Sequence, residues 1–422
     1  MGNFKDRVKQ STPIEGLSSY VMKTGAMDIV TLSGSFLGGA LYSQSHKEQA
    51  ATITASMLDK GTKKKDKYEI SDQLESVGAE IHFMSNRHHT QFSAHCLKEN
   101  LNTVTALLVE QLRAPSFPEK ELSTLKTRVV GNLTRAKEDT KKLASIGLLQ
   151  TLYPEDHPNY RFSLDHTINS VEKLTRSDII NFYNKRYGLG SINIVATGDV
   201  DANELEDCVK NEFDGWATQD TGPLPIRCKA NKSKREDKTI HVPDKTSADL
   251  YIGQPIGIDR DHEDYYALMM GVYILGGNFS ARLMQTVRDQ QGLTYGIGSS
   301  VSGAAFGADG YWSTWGTFAP DAISKGKKAT IEEIEKWYKS GVAEEELSAK
   351  KTTITGAYKV GMDTTSGLTA QILTNAERGK PIGHLDTYPD IINSLSLDKV
   401  NGAIKSYINP DQLVTVAAGT FE

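Results

Sequence analysis

Two hydrophobic periods alternate along the chain and predict strands that alternate with helices. Residues 79–84 and residues 91–96 place apolar side chains at every second position, which is the period of a half-buried strand. The next stretch repeats its apolar side chains at helical spacing, at Val104, Leu107, Leu108 and Leu112. Strands of this kind form a largely antiparallel sheet with a face packed under helices, so the pattern predicts an α+β protein.

The pattern occurs twice, which indicates an internal repeat. Leu122 and Leu347 each follow an acidic turn, open a lysine-containing helix and lie 225 positions apart. Residues 192–198 and residues 413–419 are β-branched strands of similar character, with an offset of 221 positions. Short insertions account for the change in offset. The repeat therefore predicts two tandem homologous α/β domains, each a largely antiparallel sheet packed with helices.

A connector separates the two copies. Residues 214–239 contain glycine, proline and a basic run, a composition that is typical of an exposed linker. Glu236 and Asp237 interrupt the basic run and no aromatic residues are interleaved with it, so a linker is favoured over a nucleic-acid patch. We therefore predict an N-terminal domain over residues 1–220, a linker over residues 221–239 and a C-terminal domain over residues 240–422.

Composition narrows the class of protein. The 422 residues exceed the size of one ordinary hydrophobic core, and 38% hydrophobic with 24% charged residues is typical of a globular protein. A net charge of −5 gives no reason to expect nucleic acid, and no apolar run is long enough to predict a membrane span. The three cysteines form no disulfide framework. Without a leader-like N-terminus the sequence predicts a cytoplasmic protein, or a periplasmic one if a leader was removed.

The segment from Gly276 to Tyr295, which reads GGNFSARLMQTVRDQQGLTY, carries a specific resemblance. It is similar to a segment of the insulinase and pitrilysin (M16) family of metallopeptidases, above all to the bacterial two-subunit branch. The resemblance extends over nearly the whole chain, including Lys60-Gly61-Thr62 and the two terminal strands. It implies the fold of that family, with two domains of one α+β type.

Zinc ligands are missing from the place where the resemblance would put them. Active members carry His-x-x-Glu-His on a helix that leads into a Gly-Thr turn, because two imidazoles four residues apart can hold one Zn²⁺ beside a general base. Counted back from Gly61, those three positions are Thr52, Ala55 and Ser56. The third ligand position falls near residues 132–133, Asn-Leu. The resemblance thus implies that this chain holds no catalytic zinc and no other cofactor, and that zinc is supplied by a partner.

Four histidines invite a check for a different metal site. His82, His88, His89 and His95 lie near the predicted strands of residues 79–96, together with Cys96. No pair has the spacing of a known zinc motif, and residues 88 and 89 would point to opposite faces of a strand. Surface or packed histidines are favoured over a metal site.

The resemblance assigns the retained chemistry to Arg288 and Tyr295, across the active-site cavity from the metal. A phenol O–H in a dry cavity can donate to the oxyanion of a peptide bond under attack, and a guanidinium can donate to carbonyl oxygens of an extended substrate. We therefore expect the non-zinc subunit of a heterodimeric peptidase, inactive alone, whose homologous partner bears His-x-x-Glu-His and whose substrates are extended peptides.

Two alternatives stay open at this stage. Members of the same fold serve as non-catalytic scaffold subunits, and the loss of zinc ligands fits them equally well. A homodimer that binds peptides without cleaving them is the other alternative. Retention of both Arg288 and Tyr295 favours the peptidase partner, because a scaffold needs neither side chain.

Overall fold

The computed structural model describes residues 3–44, 46–219, 222, 228–231 and 234–421. The chain forms two compact units, each assembled from three stretches of sequence. The first unit comprises residues 1–131, 167–224 and 357–388, and the second comprises residues 132–166, 225–356 and 389–422. These units are defined by packing, whereas the boundaries at residues 220 and 240 describe the internal repeat and stay a prediction.

Strands are present at all four segments where the sequence analysis predicted them, residues 79–84, 91–96, 192–198 and 413–419, and seven further strands complete the sheets. In chain order they are β1 (Lys9–Ile14), β2 (Leu17–Lys23), β3 (Ile29–Leu37), β4 (Glu80–Ser85), β5 (His89–Leu97), β6 (Ile192–Gly198), β7 (Glu236–His241), β8 (Ala248–Pro255), β9 (Thr294–Ser302), β10 (Tyr311–Phe318) and β11 (Val414–Gly419).

The helices occupy the segments between the strands. They are α1 (Phe4–Arg7), α2 (Ala50–Ala55), α3 (Lys67–Glu75), α4 (Leu101–Arg113), α5 (Glu119–Ala136), α6 (Thr140–Leu152), α7 (Leu164–Lys173), α8 (Arg176–Arg186), α9 (Ala202–Phe213), α10 (Tyr265–Gly276), α11 (Ile323–Ser340), α12 (Glu344–Gly361), α13 (Thr365–Glu377), α14 (His384–Asn393) and α15 (Leu397–Tyr407). A π-helix, Met284–Gln290, precedes β9. Within the described part of the chain, no helix combines the length and the apolar character that a membrane span requires.

The first unit is built on a six-stranded sheet in the order β1-β2-β6-β3-β5-β4. Only β2 and β6 run parallel; the other neighbouring pairs are antiparallel. One face carries the main core, in which α2, α4, α8 and α9 pack on the sheet. On the other face Leu368 and Ile372 of α13 pack against Met22 and Val195. The sheet is therefore covered by helices on both faces.

The second unit repeats this connectivity in a five-stranded sheet of order β7-β11-β8-β10-β9. The pair β7 and β11 is parallel, like β2 and β6, and the remaining pairs are antiparallel. Helix α10 lies against β9 and α15, and the buried rings of Trp312 and Trp337 stack at a centroid distance of 6.3 Å. Two sheets with matching strand order confirm the predicted pair of similar α+β domains.

In each unit, one helix that covers the sheet comes from the opposite half of the sequence to most of that unit's strands. Helix α6 precedes β7 by more than eighty residues, yet Leu148 and Leu149 pack with Val416 of β11 in the second unit. A Cβ on Gly147 would come within 3.0 Å of the Val416 side chain, so the glycine permits a close approach of α6 to the sheet. Helix α13, from the C-terminal half of the sequence, covers the sheet of the first unit in the same way. The two packed units therefore have different boundaries from the two copies of the sequence repeat.

Candidate functional site

Tyr295 lies at the start of β9, where the strand leaves the π-helix. Gly292 has a φ of 63°, a left-handed conformation that favours glycine, and it turns the chain between the two elements. On β10, Thr317 pairs with Gly296 and the next residue, Phe318, pairs with Thr294, so Tyr295 is the extra residue of a β-bulge. Its side chain is 93% exposed. The bulge and the turn together present the phenol outward.

Arg288 lies on the π-helix, one turn before Gly292. Its backbone carbonyl accepts a hydrogen bond from the Gly292 N–H at 2.9 Å, so the residue is part of the same turn that leads to Tyr295. The guanidinium carbon lies 5.5 Å from the centre of the Phe279 ring, and a guanidinium nitrogen lies 3.7 Å from the Asp289 carboxylate. The side chain remains about one third exposed, so it can still donate to a ligand.

A second arginine fixes the segment that precedes the π-helix. Arg282 donates from Nε and Nη2 to the two carboxylate oxygens of Glu346, at 2.7 and 2.6 Å, and from Nη2 to the Gly341 carbonyl oxygen at 2.9 Å. Burial raises the pKa of Glu346, but the hydrogen bonds from Arg282 and the Ala343 N–H outweigh it, so the pKa is lowered overall. The pair ties the segment to the start of α12.

Lys350 holds the preceding loop from the other side. Its ammonium donates to Asn278 Oδ1 at 3.0 Å and to the carbonyl and hydroxyl oxygens of Ser280 at 3.2 and 2.6 Å. Burial lowers its pKa, with the nearby Glu346 opposing that shift. Sequence reasoning missed Glu346 and Lys350, because they lie on a helix more than fifty residues beyond the end of the motif they support.

Tyr295 lies on the edge strand of the second sheet. β9 is the last strand of that sheet and pairs with β10. An extended peptide can add to such an edge through backbone hydrogen bonds. The arrangement therefore places an edge strand, a phenol and a guanidinium in one unit.

The degenerate zinc positions lie on α2 of the first unit. Thr52 and Ala55 are on the helix, and Ser56 caps it by donating its N–H to the Thr52 carbonyl at 3.1 Å. Ala55 is fully buried, and Thr52 and Ser56 offer only neutral hydroxyls. This residue set does not fit a zinc site. Among the described residues, no three His, Cys, Asp or Glu side chains are grouped so that they could hold a metal ion.

The four histidines near β4 and β5 differ in their surroundings. His82 is exposed, 3.3 Å from Glu80, and His95 shares a hydrogen bond of 3.1 Å with the Thr31 hydroxyl. Burial lowers the pKa of both His88 and His89 to about 4. The structure corrects one detail of the sequence prediction: β5 begins at His89, so His88 precedes the strand and the two residues do not alternate along it.

Comparison with known proteins adds independent findings. The family model described as Insulinase (Peptidase family M16) matches residues 28–159, and the one described as Peptidase M16 inactive domain matches residues 173–354. The Helicobacter pylori protein named Non-peptidase homolog YmxG is 25% identical over 380 residues, which cover 90% of this chain and 86% of that protein. A Bacillus subtilis protein named Uncharacterized zinc protease YmxG is 22% identical, with 84% of each chain covered.

Solved structures show the same fold. The crystal structure of a peptidase M16 inactive domain from Pseudomonas fluorescens superimposes with a TM-score of 0.88, at 24% identity and with 98% of each chain covered. The two family models together account for well over half of the chain, and they confirm the resemblance carried by the Gly276–Tyr295 segment. The chain therefore belongs to the insulinase family of peptidases, M16.

Proposed function

We propose that this chain is the zinc-free subunit of a heterodimeric M16 metallopeptidase. The observation that carries the proposal is the contrast between its two units. Arg288 lies on the π-helix and Tyr295 on the bulge that follows it in the edge strand β9, whereas the metal positions are occupied by Thr52, Ala55 and Ser56. The family model that matches residues 173–354, which include Arg288 and Tyr295, is that of the inactive domain.

The chemistry of the retained residues suits peptide hydrolysis by a complex. A homologous subunit with His-x-x-Glu-His would supply Zn²⁺, which activates water and polarises the peptide carbonyl. Tyr295 would donate its phenol O–H to the peptide carbonyl oxygen, which becomes negatively charged during attack. This hydrogen bond is stronger when the partner subunit excludes water from the surroundings of Tyr295. Arg288 would donate to carbonyl oxygens of the extended substrate and orient it along β9.

Reconstitution tests the proposal directly. The chain alone should hold no stoichiometric zinc and cleave no quenched fluorescent peptide, and the mixture with its His-x-x-Glu-His homologue should cleave. Loss of one oxyanion donor costs about 10² to 10³ in kcat, so Tyr295→Phe should lower the activity of the mixture by that order. Tyr68→Phe is the matched control, because Tyr68 is also a highly exposed phenol, at 68%, but lies in the first unit.

The reconstitution also separates the alternatives. Zinc-dependent cleavage by the isolated, metal-verified chain would overturn the proposal. A mixture whose activity is indifferent to both Arg288→Ala and Tyr295→Phe would instead support a scaffold subunit, and the name Non-peptidase homolog of the Helicobacter pylori relative fits that second candidate. Peptide binding by a homodimer without cleavage in any mixture would support the third. The cytoplasmic or periplasmic location stays a prediction, which fractionation of cells would check.

A further inference from the structure

A polar cavity of about 240 Å³ in the first unit is not used by the proposed peptidase chemistry. It lies where the C-terminal end of α13 meets the sheet, and its wall includes Glu377, His89, Asn193, Ser18 and Thr12. We propose that this cavity binds a small organic cation, a primary ammonium or a guanidinium, through the Glu377 carboxylate.

The Glu377 side chain is largely buried and forms part of the cavity wall. The Glu377 side chain is 10% exposed, and Oε1 accepts one hydrogen bond from Gln91 Nε2 at 2.8 Å. His89 Nδ1 lies 3.8 Å from the same oxygen, beyond hydrogen-bond distance. None of the described residues that line the cavity is Lys or Arg, and Arg378 and Lys380 follow in sequence but do not line it.

The local field favours positive charge at this place. Glu377 is the last residue of α13, and the C-terminal end of a helix carries partial negative charge, so a carboxylate there is disfavoured and a cation is favoured. His89 does not neutralise the carboxylate, because burial keeps this imidazole uncharged at neutral pH. Burial of Glu377 raises its pKa, against the hydrogen bonds from Gln91 and Ser35, and no cationic side chain of the described residues contributes to lowering it.

The shape and the remaining donors and acceptors select the kind of cation. A volume of about 240 Å³ far exceeds that of a bare metal ion but accommodates a group of several heavy atoms. The lining residues Asn193, Ser18 and Thr12 carry an amide oxygen and two hydroxyls, which are acceptors of the kind that the several N–H donors of an ammonium or a guanidinium require. Glu377 and His89 alone provide too few ligands for a stable divalent metal site.

Titration of the full chain with methylguanidinium chloride, followed by calorimetry, tests the proposal. We expect saturable binding that Glu377→Gln weakens by about 10-fold or more, since a charge-assisted hydrogen bond becomes a neutral one. Glu99→Gln removes an exposed carboxylate of the same unit and should leave the affinity unchanged. Tetramethylammonium, which lacks N–H donors, and KCl should both fail to compete.

A wild-type measurement keeps the test valid if Glu377→Gln does not fold. The imidazole NMR signals of His89 should shift with methylguanidinium, and those of the exposed His82 should not. Absence of saturable binding, equal affinity in Glu377→Gln, or an unmoved His89 signal would each overturn the proposal. Competition by KCl would overturn the assignment to an organic cation. None of these measurements depends on peptidase activity, so the proposal fails or stands apart from the proposed function.

Discussion

Removal of the Arg282 guanidinium should cost about 2 to 4 kcal/mol of unfolding free energy. Three charged hydrogen bonds are lost in Arg282→Met, two to Glu346 and one to the Gly341 carbonyl. Breaking a fully buried ion pair costs about 3 to 5 kcal/mol and an exposed pair about 0 to 1 kcal/mol. The side chains here are 16% and 29% exposed, which places the cost between those limits and closer to the buried case.

Urea denaturation measures this cost, with pH as a second variable. The folded-state pKa of Glu346 is lowered, so the stability that it contributes is present above its unfolded value of about 4.3 and is lost as the pH falls through the folded value. The stability difference between wild type and Arg282→Met should therefore shrink in acid. Arg128→Met, at an exposed arginine of α5, is the matched control and should change stability by less than about 0.5 kcal/mol.

A double-mutant cycle with Glu346→Gln isolates the pair. We expect a coupling energy of at least about 1.5 kcal/mol, because each single change leaves a partly buried partner without its counter-charge. A loss below about 1 kcal/mol in Arg282→Met at neutral pH, or a coupling energy near zero, would refute the reasoning that this pair anchors the segment before the π-helix.

Three further outcomes are expected. Asp309→Asn should lower the unfolding free energy by about 2 to 4 kcal/mol, because the fully buried His157 lies 2.6 Å from the Asp309 carboxylate. The pKa of Asp309 is lowered in the folded state, so the stability difference should shrink in acid. Equal urea midpoints for the two proteins at pH 7 would contradict this. Gly276→Ala should cost about 1 to 3 kcal/mol, since its Cβ would lie 2.6 Å from the β9 backbone, whereas Gly402→Ala meets no atom within 4 Å and should stabilise α15 slightly; calorimetric Tm values check both. Tyr295→Phe should leave Tm unchanged while it lowers the activity of the reconstituted mixture, and a shift of several degrees would show that the phenol has a structural role.

Local patterns predicted the elements because their causes are local. The two-residue alternation of residues 79–84 and 91–96 became β4 and β5, and the helical spacing around Leu108 became α4. The prediction that His88 and His89 alternate along a strand was wrong, because β5 begins at His89 and strand ends depend on pairing with a neighbour and not on periodicity alone. The roles of Arg288 and Tyr295 stay predictions; the structure adds how the chain presents them.

Long-range packing decided what no local pattern contained. Lys350 reads as one more solvated lysine of an amphipathic helix, yet it is 6% exposed and holds two residues seventy positions earlier. In the same way, the sequence predicts that Glu377 is a surface residue at the end of α13, but in the structure its side chain is 10% exposed because it packs against the sheet of the first unit.

The sequence by itself determined the duplicated α+β architecture, the family and the replacement of the metal ligands, because strand and helix periods and side-chain identities are properties of short segments. Only the tertiary structure decided which helix covers which sheet. Helices α6 and α13 each lie in the opposite half of the sequence from the strands they cover, and their positions follow from packing against side chains brought together from distant parts of the chain.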